Sequence, residues 1–157
     1  MAKNKVMLHL RNEQFRESVD ISGTEVKRVL DPIDKLEMIT EATVYTKPNA
    51  TYITYHESAK MDMEENRTLI KLLDDVLEVH RYEKPHGNGM ELRLQEGKTA
   101  LVRYVLPYGA LNIEICTYKL EHDLDENGFG RIYAEYTLDL AGQEEQRNKL
   151  ELNIRPQ

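Results

Sequence analysis

The segment HDLDENGFGRIYAE, residues 122–135, sets oxygen-bearing side chains at the spacing of a calcium loop. Asp123, Asp125 and Asn127 alternate, and Gly128 follows where such a loop turns sharply. A helix–loop–helix calcium site closes its shell with a bidentate glutamate at the twelfth loop position. Counted from Asp123, that position is Ala134, and Glu135 falls one residue late. The flanks ICTYKLE and IYAEYTLDL alternate with the period of strands where helices are required. The segment therefore reads as a hairpin tip, in which Asp and Asn accept local backbone hydrogen bonds and Gly128 and Gly130 take the turn.

Other reactive side chains are scattered. His9, His56, His80, His86 and His122 show no i, i+4 pair of the kind that binds a metal on a helix. Cys116 shares its strand face with Asn112 and Glu114, and a nucleophile there would need an adjacent base. No glycine-rich loop opens a helix to cradle a phosphate, and there is no Gly-x-Ser-x-Gly elbow. Arg131 and Tyr133 form the Arg-x-Tyr pair with which some intracellular lipid carriers hold a carboxylate. Here both lie opposite the apolar Ile132 and Ala134, which makes them surface residues.

Strands must position these groups. RIYAEYTLDL places Ile132, Ala134, Tyr136, Leu138 and Leu140 on one face, KLELNI places Leu150, Leu152 and Ile154, and VMLHL places Val6, Leu8 and Leu10. Alternation of this kind marks strands with one buried and one wet face, as antiparallel sheets allow. Turn signals separate them: KPNA, HGNG, QEGK, PYG and ENGFG. About ten strand candidates at such spacing predict an all-β sandwich or barrel in one domain, residues 1–157. Residues 13–35 resist assignment, since GTEVKRVLDPIDKLEM could hold a helical turn but is interrupted by Pro32. HESAKMDMEENRT, residues 56–68, is the longest polar break and reads as a loop.

The same alternation yields a polar constellation. VLEVHRY aligns Arg81 with Leu77 and Val79, and ALVRYVL aligns Tyr104 with Ala100, Val102 and Leu106. Thr117 follows Ile113 and Ile115, and Tyr136 follows Ile132 and Ala134. If the apolar faces point inward, Arg81, Tyr104, Thr117 and Tyr136 do too. An inward arginine keeps its charge and needs an acceptor. Either a carboxylate such as Glu57, carbonyls or buried water satisfies it internally, or these groups line a cavity and orient a ligand.

The totals narrow the class. With 157 residues, 40% hydrophobic and 31% charged, the chain is long enough for one substantial core. A net charge of −7, with no local run of Lys and Arg, disfavours nucleic acid as a partner. No window approaches the roughly 20 apolar residues of a helical membrane span. The single cysteine cannot form an internal disulfide, so the expected location is cytoplasmic.

VHRYE, MELRLQEGKTALVRYVLPYGALNIEICTYKL, LDENGFGRIYAEYTLDL and NKLELNI together resemble the YwiB-like family of bacterial proteins, from about Tyr52 to Ile154. The resemblance implies an antiparallel, up-and-down calycin/lipocalin-like β-barrel of about 8–10 strands, and carries no function with it. On the residues themselves, a non-enzymatic interaction or homo-oligomeric module without cofactor or metal is the first expectation, with a homodimer as the assembly. The alternative is a barrel that binds a small apolar or amphipathic ligand, with Arg81 anchoring its polar end.

Overall fold

The computed structural model describes residues 2–20, 23, 27–58, 65–83, 87–106, 109–140 and 146–157, without the side chains of 2, 17–20, 27–29, 57–58, 65–66, 83, 87–91, 104–106 and 140. The expected all-β architecture is what folds: ten strands in one sheet and, among the described residues, no helix. The strands are β1 (Ala2–Asp20), β2 (Lys27–Lys47), β3 (Ala50–Ser58), β4 (Glu65–Leu73), β5 (Val76–Glu83), β6 (Gly87–Gln95), β7 (Thr99–Leu106), β8 (Gly109–His122), β9 (Gly130–Leu140) and β10 (Gln146–Pro156).

Each pairs antiparallel with its chain neighbours, except that β6 and β7 do not pair with each other, and β10 returns to pair with β1. The sheet thereby curls into a nearly closed barrel whose seam lies between the consecutive strands β6 and β7. The turn joining them is stitched to β8. Gly97 N donates to Thr117 O at 2.9 Å, and Thr117 N donates to Lys98 O at 3.1 Å. Closure of this kind removes most of the sheet edge that an open sheet would expose.

The core follows the predicted faces. Val6, Leu8, Val44, Ile53, Leu77, Leu94, Ala134 and Leu152 have no solvent exposure. Burial of each such aliphatic side chain contributes roughly 1.5–3 kcal/mol, which is why the period-two pattern dictates register. One end of the barrel is closed by the segment between β8 and β9. Leu124 and Phe129 pack against the core there, and Gly128 sits directly over Val44.

The expectations falter in one region. Residues 13–20 and 27–35 are strand, with no helical turn at Pro32. β1 and β2 run through them as a long hairpin, paired from Ala2↔Thr46 to Asp20↔Lys27. A bulge absorbs Pro32 and Ile33, since the register moves from Gln14↔Asp34 to Phe15↔Pro32. The predicted loop at 56–68 is also shorter than expected, because β3 reaches Ser58 and β4 starts at Glu65.

Candidate functional site

Along most strands the inward residues change character in the same direction. On β1 they run from Val6, Leu8 and Leu10 to Asn12 and Gln14; on β10, from Ile154, Leu152 and Leu150 to Asn148. Ile53 gives way to Tyr55 on β3, Ile70 to Thr68 on β4, and Val79 to Arg81 on β5. The end near Gly128 is thus apolar, and a polar band lies toward the β1–β2 hairpin.

Two rows make up the band. Tyr55, Thr68 and Arg81 are cross-strand neighbours on β3, β4 and β5. Thr117, Tyr136, Asn148 and Gln14 are neighbours on β8, β9, β10 and β1. Of the residues singled out from sequence, Thr117 and Tyr136 are brought side by side and are both buried. Arg81 is half-buried in the other row, where the β5–β6 register shifts between His80 and Tyr82. The Tyr104 side chain lies outside the described residues, as does that of Glu57; the Tyr104 backbone pairs with Leu111. Burial pushes the Tyr136 hydroxyl pKa well above its ordinary value.

Tyr55, Thr68, Asn148 and Gln14 of the band escaped the sequence reading, as did Asn12 beside it. Asn148 is fully buried; its Oδ1 accepts a 3.3 Å hydrogen bond from Asn12 Nδ2, and its own Nδ2 donates to Gln146 O at 3.3 Å. The signal was present: Asn148 continues the Leu150–Leu152–Ile154 alternation, and Thr68 continues Ile70–Leu72. The hydroxyls of Thr68 and Thr117, 2% and 4% exposed, have no hydrogen-bond partner among the described residues.

The barrel wall splits beside this band. β2 and β3 pair only from Thr43↔Thr54 to Lys47↔Ala50 and then diverge. A cavity of about 390 Å³ opens at the split, lined by Thr40, Glu41, Ala42, Tyr55, His56 and Gln157 among others. A second, of about 300 Å³, lies at the opposite rim between the β2–β3 turn and Leu124–Glu126. Beyond the split, β2 runs on as half of the β1–β2 arm. Ile33, Leu36 and Ile39 are 44%, 59% and 65% exposed there.

The acidic tip behaves as a turn. Asp125 Oδ1 accepts from the N–H groups of Asn127 (2.8 Å) and Phe129 (2.9 Å), and Asp123 Oδ1 accepts from Arg131 N (2.7 Å). Among the described residues no group of three or more His, Cys, Asp or Glu is arranged to hold a metal ion. Arg131 and Tyr133 face outward as read: Arg131 Nη2 binds Glu151 Oε2 at 2.9 Å and its guanidinium lies 4.8 Å from the Tyr133 ring centroid. Two His–carboxylate pairs come within reach, His9 Nε2 with Glu37 Oε1 at 2.7 Å and His80 Nε2 with Glu78 Oε1 at 3.0 Å. The bond from His9 holds the Glu37 carboxyl below its ordinary pKa. Neither pair lines the cavities described above.

The model of a family described as a domain of unknown function, DUF1934, matches residues 19–152. The chain belongs to that family. The DUF1934 match includes both polar rows except Gln14. A Bacillus subtilis (strain 168) relative, "Uncharacterized beta-barrel protein YwiB", is 27% identical over 123 residues, covering 76% of this chain and 82% of the relative. The crystal structure of the YwiB protein from Bacillus subtilis superposes with a TM-score of 0.65 at 18% identity, over 98% of this chain and 93% of that one. That likeness carries the barrel fold of the DUF1934 chain. It says nothing of which residues act.

Proposed function

We propose that the chain is a non-enzymatic, cytoplasmic interaction module that works as a homo-oligomer through its outer surface. The observation that supports this is the arm. β2 leaves the barrel wall beyond Thr43, and Ile33, Leu36 and Ile39 stand on it in solvent. Apolar residues scattered singly are ordinary, but three of them spaced along one strand with a free edge are what protein–protein contacts cover. The packed apolar half of the barrel supports the same reading, because it leaves the outer surface and the polar end as the places where a partner can act.

Light scattering across a protein concentration series tests it. A dimer in the micromolar range is the expected result. A monomer that persists to about 100 μM would defeat the reading, since a dissociation constant above that corresponds to less than about 6 kcal/mol of association.

A second reading has its own observation. The buried hydroxyls of Thr68 and Thr117 point into the band that holds Arg81, and a small amphipathic ligand with a polar end would satisfy them. Native mass spectrometry of freshly purified protein, compared with its denatured mass, checks this. An adduct that is lost in Arg81→Leu supports a binding barrel, and a clean apo mass opposes it.

A further inference from the structure

The free edge of β2 carries a pattern that fits itself. We infer that two copies join by antiparallel pairing of their β2 edges about a two-fold axis through Leu36. This rests on the homo-oligomeric reading above and assigns it a surface and a register.

Beyond Thr43, β2 is bonded to β1 on one side, and among the described residues no strand pairs with its other side. An edge of unpaired N–H and C=O groups can be completed by another strand. When both strands are the same segment, the two-fold axis stands perpendicular to the sheet, and residues facing each other must lie on the same face. Opposed residue numbers therefore add to an even number, which leaves one register centred on each residue.

The charges of DPIDKLEMITE, residues 31–41, decide among them. Centring on Asp34, Lys35 or Glu37 sets that residue against its own like charge, which destabilises a cross-strand pair. Centring on Leu36 sets Lys35 against Glu37 twice and Ile33 against Ile39 twice, all on the outer face, with Leu36 against Leu36 and Asp34 against Met38 on the other; Asp31, whose opposite number is Glu41, lies beyond the bulge where the ladder ends. Centring on Met38 sets Lys35 against Glu41, but also sets Ile39 against Glu37 and leaves Ile33 without an apolar partner. Only the Leu36 register covers all three exposed apolar side chains, 44%, 59% and 65% exposed in the single chain. Lys35 Nζ and Glu37 Oε2 already stand 3.8 Å apart within one chain, so the same two groups can alternate across the interface.

The ends of the ladder are set as well. The bulge at Ile33 and the missing N–H of Pro32 stop pairing on one side, and the barrel wall begins at Thr43 on the other. Such a contact is isologous: each copy uses its free edge on its partner's, so assembly stops at two. A foreign strand would need to supply the same alternation of basic, acidic and apolar residues that a second copy brings by identity.

Cysteine cross-linking tests the register. In a Cys116→Ser background, Leu36→Cys, Lys35→Cys and Glu37→Cys are each oxidised under mild conditions. Directly opposed residues lie roughly 4.5–5.5 Å apart at Cα, inside the span of a disulfide. Leu36→Cys is expected to give the covalent dimer fastest. Faster cross-linking at 35 or 37, or none at any of the three in a protein that light scattering shows to be dimeric, overturns the register and leaves the homo-oligomeric reading standing. A monomer by light scattering defeats both. Charge reversal supplies an independent readout: Lys35→Glu and Glu37→Lys each weaken the dimer about tenfold, and the double variant restores it. Failure of the double variant to recover, in a protein with unchanged circular dichroism, also overturns the pairing.

Discussion

Gly128→Ala strikes where the β8–β9 segment seals the apolar end of the barrel. Gly128 has a φ of +83°, a conformation that costs an L-residue about 1–2 kcal/mol. The new methyl would also fall inside the van der Waals envelope of Val44 Cγ1 and lie 3.3 Å from Thr46 Cγ2. Val44 is fully buried and β-branched, so it has few rotamers into which to retreat. Overpacking of this kind costs about 1–3 kcal/mol, and the sum is about 2–5 kcal/mol. Gly97→Ala isolates the backbone part. Gly97 has a φ of +75° but no atom within 4 Å of where its Cβ would stand. Urea unfolding followed by circular dichroism suits a chain without tryptophan. Gly128→Ala should lose more stability than Gly97→Ala by about 1–3 kcal/mol, roughly 2–12 °C in melting temperature. Equal losses, within about 0.5 kcal/mol, would refute the seating of the tip on Val44.

Two further outcomes follow from the site. Burial raises the pKa of Tyr136 above the unfolded value of about 10. Its contribution to stability is therefore whole below that pH and is lost as pH rises toward the folded pKa, because only the unfolded tyrosine ionises. Between pH 9 and 11 the parent should lose stability faster than Tyr136→Phe, and parallel urea midpoints for the two proteins would contradict the burial. Asp125→Ala removes the acceptor of two backbone N–H bonds at the acidic tip and should cost about 1 kcal/mol, as loss of a cap does. Millimolar calcium should leave the parent melting temperature unchanged; a calcium-dependent rise that Asp125→Ala abolishes would reopen the tip as a cation site.

Elements with one wet and one dry face were legible from composition and period. Val6 and Leu8, Ile132 and Ala134, and Leu150, Leu152 and Ile154 all face inward as read, because a one-residue slip would expose each entire set. The arm was illegible for the converse reason. Residues 30–39 have no buried face along their length to impose a period, Pro32 argued against a strand, and the bulge at Ile33 shifts the alternation where it could have been recognised. The candidate site was read in part. Thr117 and Tyr136 were found by extending apolar alternations in one chain direction, and Asn148 and Thr68 were missed because theirs extend in the other. Leu111, read with Ile113 and Ile115, is 46% exposed. It pairs with Tyr104 near the end of the β7–β8 hairpin, past the point where the opposite wall can cover it.

The split between β2 and β3 coincides with the change in the barrel's interior. The last paired residues are Thr43 and Thr54; the next inward residues are Ala42 and Tyr55, where the apolar belt gives way to Thr68 and Arg81. Apolar burial holds curled strands together, and each backbone hydrogen bond adds only about 1 kcal/mol net. On the apolar side of Val44 and Ile53, closing the wall buries large aliphatic side chains. On the polar side, where Tyr55 and Thr68 are already buried, closure would add little apolar burial and would strip further water from the half-buried Arg81 guanidinium. The strands part where the gain from burial ends. The edge thus left open on β2 is then available to a partner, and Pro32, the bulge and alternating charges limit what that partner can be.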